Sequence, residues 1–139
     1  MEFEISEFVE DDRAELRQLY SDVRNETFHR IENQSKYTFD LDTKGEEIIV
    51  ARMEGKVAGF ISVWLPDNFI HHLYIRKEYR RNGLGRLLIN RVRTKTKRPL
   101  TLKCLVDNIN AVKFYERNGW KNKSTGISDY GVFILFELV

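Results

Sequence analysis

A group of arginines and glycines between Leu73 and Val92 has the residue types of an anion-binding site. The stretch reads LYIRKEYRRNGLGRLLINRV, in which an alternating apolar run is followed by a basic segment with two glycines and then by leucines at helical spacing. A strand, a glycine turn and the start of a helix direct several backbone N–H groups and the positive end of the helix dipole toward one point. An anion is therefore expected there, flanked by Arg80, Arg81 and Arg86.

Two adjacent histidines lie just before this stretch, in the segment FIHH at residues 69–72. A histidine, with an ordinary pKa near 6.5, can carry a proton close to neutral pH. Alternation along a strand predicts that His71 shares one face with Leu73, while His72 and Tyr74 lie on the opposite face. Both are candidates for acid–base chemistry, although a histidine in a strand is more often structural.

These residues need a scaffold, and the hydrophobic pattern predicts an α/β or α+β domain with a mixed central sheet. The sheet is expected to have about six to seven strands and to be flanked by about four helices. The strand–helix–strand unit around the glycine turn should form a right-handed crossover between parallel strands. The segment from Thr27 to Lys44 has weak periodicity and predicts a short helix followed by a loop.

Strands are expected at residues 3–8, 47–53, 57–65, 69–75, 100–106, 120–125 and 132–138, with a turn at residues 126–130. Helices are expected from residue 11, with one face formed by Leu16, Leu19, Tyr20 and Val23, and from residue 84, with one face formed by Leu84, Leu87, Leu88 and Val92. A third helix is expected after Asn108 or Asn110, both plausible N-caps, and is expected to end at Asn118 and Gly119.

Composition limits the class of protein. The chain has 139 residues, of which 42% are hydrophobic and 32% charged, as expected for one folded domain and not for a disordered chain. No apolar run approaches the roughly 20 residues that span a bilayer, and the acidic N-terminus lacks a signal-peptide pattern. A cytoplasmic protein without membrane contact is expected. Cys104 is the only cysteine, so neither an intrachain disulfide nor a cysteine-based metal site is predicted, and no metal ligands are assigned.

Two segments carry a resemblance to a known family. The segment RRNGLG, from Arg80 to Gly85, matches the pattern R/Q-x-x-G-x-G/A of the GNAT superfamily of N-acetyltransferases. The segment NINAVKFYERNGW, from Asn108 to Trp120, is similar to a second conserved segment of that superfamily, N-x-x-A-x-x-x-Y-x-x-x-G-F. The resemblance covers most of the chain and is weakest between Asp11 and Gly45. It implies a single GNAT acetyltransferase domain at residues 1–139, with a central sheet that splays apart.

The resemblance implies acetyl-CoA as co-substrate. The glycine turn would bind its pyrophosphate through backbone N–H groups. Backbone groups of the strand before the turn would bind the pantetheine amides, as an added strand does. Asn108 would bond the same arm. The cofactor-binding residues implied in this way are Leu73, Tyr74, Ile75, Arg80, Arg81, Asn82, Gly83, Leu84, Gly85, Arg86, Asn108 and Tyr115.

The implied chemistry is attack by an amine on the thioester carbonyl. Tyr115 occupies a position that is often the general acid of the family, although a helix tyrosine can also simply pack in the core. Some relatives carry a glutamate base at the position of Lys103, and a lysine there excludes that carboxylate. Other relatives carry histidines near the position of His71, which makes His71 the catalytic candidate, with His72 or a chain of waters as alternatives. Glu46 and Glu47 fall in a predicted turn, and no role is assigned to them.

The acceptor is left open by the sequence. A small molecule such as an amino acid, a polyamine or an aminoglycoside is favoured over a protein N-terminus or lysine. A CoA-binding regulatory module without catalysis is a second hypothesis. A nucleic-acid binder that uses the basic run from Arg91 to Arg98 is a third, but a net charge of +2 gives it little support. The expected partners are acetyl-CoA and an amine acceptor, with no nucleic acid, and the chain is expected to be a monomer or a homodimer.

Overall fold

A computed structural model of the chain describes residues 2–27, 38–97 and 99–139. This described part contains a seven-stranded mixed sheet and four helices, which confirms the predicted fold class. The strands are β1 (Glu4–Glu7), β2 (Glu47–Met53), β3 (Lys56–Trp64), β4 (Phe69–Ile75), β5 (Leu100–Leu105), β6 (Lys121–Ser128) and β7 (Gly131–Leu138). The helices are α1 (Arg13–Thr27), α2 (Phe39–Asp42), α3 (Leu84–Arg93) and α4 (Ile109–Arg117).

The strands lie in the order β1-β2-β3-β4-β5-β7-β6. Only the pair β4–β5 is parallel, and all other neighbours are antiparallel. Helix α3 connects the two parallel strands, as predicted for the unit around the glycine turn. The start of α3 therefore lies at the carboxyl end of β4, near the centre of the sheet.

The sheet splays apart between β4 and β5. These strands pair only at Phe69 with Thr101 and at Ile70 with Leu102. In the described residues, the edge of β4 from Leu73 to Ile75 has no strand partner on the β5 side, whereas its other edge pairs with β3. An opening with exposed backbone groups on one wall follows from this geometry.

Helices cover both faces of the sheet. Helix α1 packs its predicted face, which includes Leu16, Leu19 and Tyr20, against one side together with α2. Helices α3 and α4 pack on the other side. In α3 the buried stripe runs through Leu84, Leu88 and Val92, with Gly85 and Ile89 beside it.

The boundaries differ from prediction in a few places. Leu87 was predicted to lie on the buried face of α3 but is 45% exposed. The buried face follows Leu84, Leu88 and Val92 and extends to Gly85 and Ile89, on the side of the helix away from Leu87. Strand β6 continues to Ser128, through the predicted turn at residues 126–130. Of the weakly patterned segment 27–44, residues 28–37 lie outside the described part. No helix among the described residues is long and apolar enough to cross a membrane.

Candidate active site

The turn between β4 and α3 exposes backbone N–H groups. Arg81 and Gly83 both have positive φ, at +67° and +76°. The Asn82 side-chain amide donates hydrogen bonds to the carbonyl oxygens of Tyr79 and Arg80, at 3.2 and 3.3 Å. The first hydrogen bond of α3 is donated by the backbone N–H of Leu87 to the Gly83 carbonyl, at 3.1 Å. The N–H groups of residues 84–86 precede it, so they are available to an anion at the start of α3.

Gly85 allows this helix to approach its neighbours closely. A Cβ atom at Gly85 would lie 3.0 Å from Cζ of Phe114 on α4 and 3.5 Å from Cδ1 of Ile75 on β4. Because Gly85 has no side chain, the start of α3 can pack closely against both elements that border the opening. In contrast, a Cβ atom at Gly83 would meet no other atom within 4 Å, and glycine is favoured there because its φ is left-handed.

The three predicted arginines are held differently. The Arg80 guanidinium donates two hydrogen bonds to the Glu26 carboxylate, at 3.0 and 3.1 Å, and a third to the Ile75 carbonyl, at 3.0 Å. Arg86 donates to the side-chain oxygen of Asn118 at 2.8 Å. Arg81 is exposed and makes no side-chain hydrogen bond to another described residue. Arg80 thus ties the turn to α1, and Arg81 presents its charge to solvent.

Asn108 lies at the carboxyl end of β5 and begins α4. Its side-chain oxygen accepts a hydrogen bond from the Ala111 N–H at 3.3 Å, as an N-cap residue does. This leaves the N–H groups of its side-chain amide as donors near the opening. Helix α4 ends at Asn118 and Gly119, as the sequence predicts.

Tyr115 is buried on the inner face of α4. Its ring lies 5.6 Å from the ring of Trp120 and 5.6 Å from that of Phe136. Burial raises the pKa of the Tyr115 phenol, and nearby Cys104 and Tyr74 raise it further. Because Cys104 belongs to β5 and Tyr74 to β4, the phenol lies close to both strands that border the opening. It keeps its proton at neutral pH, so it can act there as an acid and not as a base.

The two histidines lie side by side, which corrects the prediction from strand alternation. Ser62 of β3 pairs with His72, and the next residue, Val63, pairs with Ile70, so His71 is an extra residue in the ladder. Such a β-bulge breaks the alternation of side chains between faces. The imidazole rings of His71 and His72 are 4.0 Å apart.

Glu46, which directly precedes β2, lies against both imidazoles. Its side chain is only 6% exposed, and one carboxylate oxygen lies 2.8 Å from Nδ1 of His71. The other oxygen lies 3.9 Å from Nδ1 of His72, which is itself 2.8 Å from the Ser62 hydroxyl. A carboxylate only accepts hydrogen bonds, so Nδ1 of His71 carries a proton, and in the neutral imidazole the lone pair lies on Nε2.

Aromatic side chains continue the wall beyond His72. The His72 ring is 5.3 Å from Tyr20 of α1 and 5.3 Å from Tyr74 of β4. The Tyr20 hydroxyl donates to the carboxylate of Asp42 on α2. The guanidinium of Arg24 lies 5.8 Å from the ring centre of Tyr130, which precedes β7. Elements on the α1 side of the sheet and the β6–β7 turn therefore meet beside the histidines.

Comparison with known proteins identifies the family. A family model described as the acetyltransferase (GNAT) domain matches residues 16–135. The chain belongs to the GNAT acetyltransferase family. The family predicted from the two motifs is thereby confirmed.

Solved structures share the fold of this GNAT chain. The apo form of YjaB from Escherichia coli is 19% identical, with a TM-score of 0.77 over 100% of this chain and 99% of YjaB. The PaiA N-acetyltransferase from Thermoplasma acidophilum, in complex with coenzyme A, is 19% identical, with a TM-score of 0.77 over 98% of each chain. A protein of Bacillus anthracis strain Ames, in complex with acetyl coenzyme A, is 25% identical, with a TM-score of 0.62 over 67% of this chain and 61% of that one.

Glu46 is the site residue that sequence reasoning missed. No local pattern distinguishes it, since it lies in a polar segment before a strand and matches neither GNAT motif. Its position follows from the register of three strands, in which Ile48 of β2 pairs with Ser62 of β3, and Ser62 pairs with His72 of β4. Only the pairing of these strands could have placed Glu46 beside the histidines.

The burial of His72 predicts a pH-dependent stability. His72 is 5% exposed, and burial lowers its pKa well below the ordinary value, with further lowering by His71 and Arg24. Below pH 6.5 the unfolded chain binds a proton that the folded chain does not, so the free energy of unfolding falls as pH falls. The slope from this one group is at most about 1.4 kcal/mol per pH unit. Urea denaturation between pH 7.5 and 5.5 should give a smaller slope for His72→Gln than for the wild type, and equal slopes would contradict this assignment.

Proposed function

We propose that this GNAT domain, residues 1–139, transfers an acetyl group from acetyl-CoA to a primary amine that attacks the thioester directly. The observation that carries the proposal is the opening between β4 and β5. The backbone N–H groups of residues 84–86, here called the anion cradle, lie at the α3 end of the opening. The buried phenol of Tyr115 lies close to both strands that border it. His71 and its carboxylate partner lie on the wall formed by β4.

The donor half of the site suits acetyl-CoA. The N–H groups at the start of α3, with Arg81 beside them, would bind the pyrophosphate. The unpaired edge of β4 at Leu73, Tyr74 and Ile75 would bond the pantetheine amides through main chain, as an added strand would. The Asn108 side-chain amide would contact the same arm. Coenzyme A bound to PaiA, which has the same fold, supports this assignment.

The leaving thiolate needs a proton, and we assign the Tyr115 phenol as its donor. Burial raises the pKa of Tyr115, which by itself makes release of the proton less favourable. A thiolate that forms beside the buried phenol would itself lose hydration, which would increase its affinity for a proton. This would narrow the difference between the two proton affinities and so favour general acid catalysis.

The attacking ammonium must lose a proton, and we assign its acceptor as Nε2 of His71. Glu46 holds the other ring nitrogen and fixes the tautomer, so we treat Glu46 as a positioning residue. His72 is a weaker candidate because its buried ring is already held by Ser62. The Lys103 amine lies over the Phe133 ring at 5.0 Å and does not replace the glutamate found there in some relatives.

A covalent acetyl-cysteine intermediate is disfavoured. Burial raises the pKa of the Cys104 thiol to about 11. Only a fraction of about 10⁻⁴ would be thiolate at pH 7, and the thiolate is the nucleophile. Direct attack by the amine is therefore the simpler route.

We propose a small-molecule amine as acceptor. The His71 side chain is 43% exposed and borders the wall that contains Tyr20 and Tyr74. The faces of such rings bind compact ammonium groups. A panel of amino acids, polyamines, aminoglycosides and peptides, assayed by the thiol released from acetyl-CoA, tests this choice. Turnover with peptides alone would transfer the assignment to a protein acceptor, and tight acetyl-CoA binding without turnover on any amine would favour a non-catalytic module.

Acetyl-CoA binding gives a direct test of the cradle. Gly83→Ala should weaken binding by about tenfold, or about 1.4 kcal/mol, because its left-handed φ positions the N–H groups of α3. Gly55 is a matched control, since its φ is +81° and it also has open space around it, but it lies in the β2–β3 turn. Isothermal titration should show that Gly55→Ala binds like the wild type. Equal binding by Gly83→Ala would remove the cradle from the donor site.

A further inference from the structure

Glu46, His71 and His72 form a cluster of potential metal ligands. One ligand atom from each of the three residues lies within 4.8 Å of the others. Among the described residues this is the cluster that brings histidine and carboxylate groups close enough to share an ion. It lies at the bulge of β4, where the two imidazoles stack.

The Glu46 carboxylate has an unused oxygen. Its Oε1 is buried and has no hydrogen-bond partner among the described residues, while its Oε2 bonds His71. A carboxylate oxygen without a partner is costly in the interior. Oε1 lies 3.9 Å from Nδ1 of His72, so a cation between the two groups would satisfy it.

We propose that Glu46, His71 and His72 bind a divalent transition-metal ion of the zinc type. The ion would occupy the lone pairs of the histidines and so inhibit acetyl transfer reversibly; this inhibitory effect, unlike binding itself, rests on the proposed function of His71.

The spacing suits a tetrahedral ion after small movements. Metal–nitrogen and metal–oxygen bonds of about 2.0–2.2 Å at a tetrahedral angle place ligand atoms about 3.4 Å apart. The two distances from Glu46 oxygens to histidine Nδ1 atoms are 2.8 and 3.9 Å, one shorter and one longer than this value. Three protein ligands would leave a fourth position for water.

The ligand types favour zinc over magnesium or calcium. Two imidazoles with one carboxylate suit Zn²⁺ and Co²⁺, whereas Mg²⁺ and Ca²⁺ prefer oxygen ligands alone. The Ser62 hydroxyl now bonds Nδ1 of His72, so it would release that nitrogen to the ion.

Metal binding would change the tautomer of His71. The ion would take the place of the proton between Nδ1 of His71 and the Glu46 carboxylate, and that proton would move to Nε2 so that the imidazole stays neutral. The nitrogen assigned as the base would then carry a proton, which accounts for the inhibition. Strand alternation would separate the two histidines, and the bulge brings them together.

Titration of the full chain with Co²⁺ tests the site independently of activity. The third histidine, His29, is replaced in every protein by His29→Asn, so that it cannot supply a ligand. The parent should bind one Co²⁺ with visible d–d absorption of a four-coordinate site, and Zn²⁺ should displace it. Glu46→Gln and His71→Ala should each weaken binding at least tenfold.

Glu47→Gln is the matched control and should bind Co²⁺ like the parent. It makes the same chemical change one residue away, at a carboxylate that pairs with Lys95 at 3.3 Å. Circular dichroism on each variant checks that the fold is retained. No d–d absorption in the parent, or equal Co²⁺ affinity in all variants, would overturn the site.

The effect of Zn²⁺ on turnover distinguishes the metal-site proposal from the proposed acetyltransferase function. With a working acceptor, saturating Zn²⁺ should lower turnover at least tenfold, and EDTA should restore it. Turnover unaffected by saturating Zn²⁺ would overturn the inhibitory role. Co²⁺ binding by a protein that acetylates no amine would support the metal site and refute the proposed function.

Discussion

Replacing His71 with alanine is expected to lower kcat for acetyl transfer by about 10²-fold, or about 2.7 kcal/mol, with little change in acetyl-CoA affinity. The His71 imidazole offers Nε2 as the nitrogen for proton transfer, because Glu46 holds Nδ1. An alkylammonium with a pKa of about 10.4 must lose a proton before attack, and removing its acceptor slows that step. Steady-state thiol release and acetyl-CoA titration measure the two quantities separately.

Two variants sharpen this test. Glu46→Gln keeps the size of the side chain but removes the charge that fixes the His71 tautomer, so an intermediate loss of about tenfold is expected. Lys103→Ala changes an exposed side chain on β5 and should leave kcat unchanged. A kcat of His71→Ala within about threefold of the wild type would assign proton removal to water. Loss of acetyl-CoA binding in the same variant would instead indicate a structural role for His71.

The local structure around the proposed donor site could be predicted from the sequence because its determinants are local. The bounds of β2 and β4 were predicted correctly, since apolar alternation is a property of each strand by itself. The start of α3 at Leu84 followed from a glycine turn before a helical repeat. The cap at Asn108 likewise depends on residues within one turn of α4. Each of these features arises within a few residues of chain.

The acceptor half depends on long-range register, which no local pattern contains. The bulge at His71 is a property of the pairing between β3 and β4, and it overrides the alternation that the sequence suggests. Glu46 reaches the histidines only because β2 and β3 bring it there. The closeness of Gly85 to Phe114 likewise depends on how two helices pack, so the sequence indicated a phosphate turn but not this contact.

This division explains why the family is easier to identify than its acceptor. The GNAT motifs describe the turn and α4, which together would bind the cofactor. The residues that would meet the amine are contributed by α1, α2, β4 and the turn before β7, and they are far apart in the chain. Their identity can vary while both motifs remain intact. A buried carboxyl group such as that of Glu46 is therefore a better guide than the motifs to the acceptor chemistry of this chain.

Replacing Tyr115 with phenylalanine should lower kcat by about 10²-fold and leave acetyl-CoA affinity within about twofold. The change removes only the hydroxyl, and the ring contacts with Trp120 and Phe136 are retained. Without a donor the thiolate must leave unprotonated. Because that interaction develops only as the thioester breaks, the loss appears in kcat and not in binding.

Tyr79→Phe is the matched control for this prediction. The Tyr79 ring packs against Phe3 at 5.8 Å, on the turn that leads to α3, and its hydroxyl has no assigned part in the chemistry. It should therefore turn over like the wild type. Thermal unfolding of both variants separates catalysis from stability, since a buried hydroxyl can also contribute to the fold. If Tyr115→Phe keeps at least half of the wild-type kcat, the leaving thiolate takes its proton from water, and Tyr115 serves the core alone.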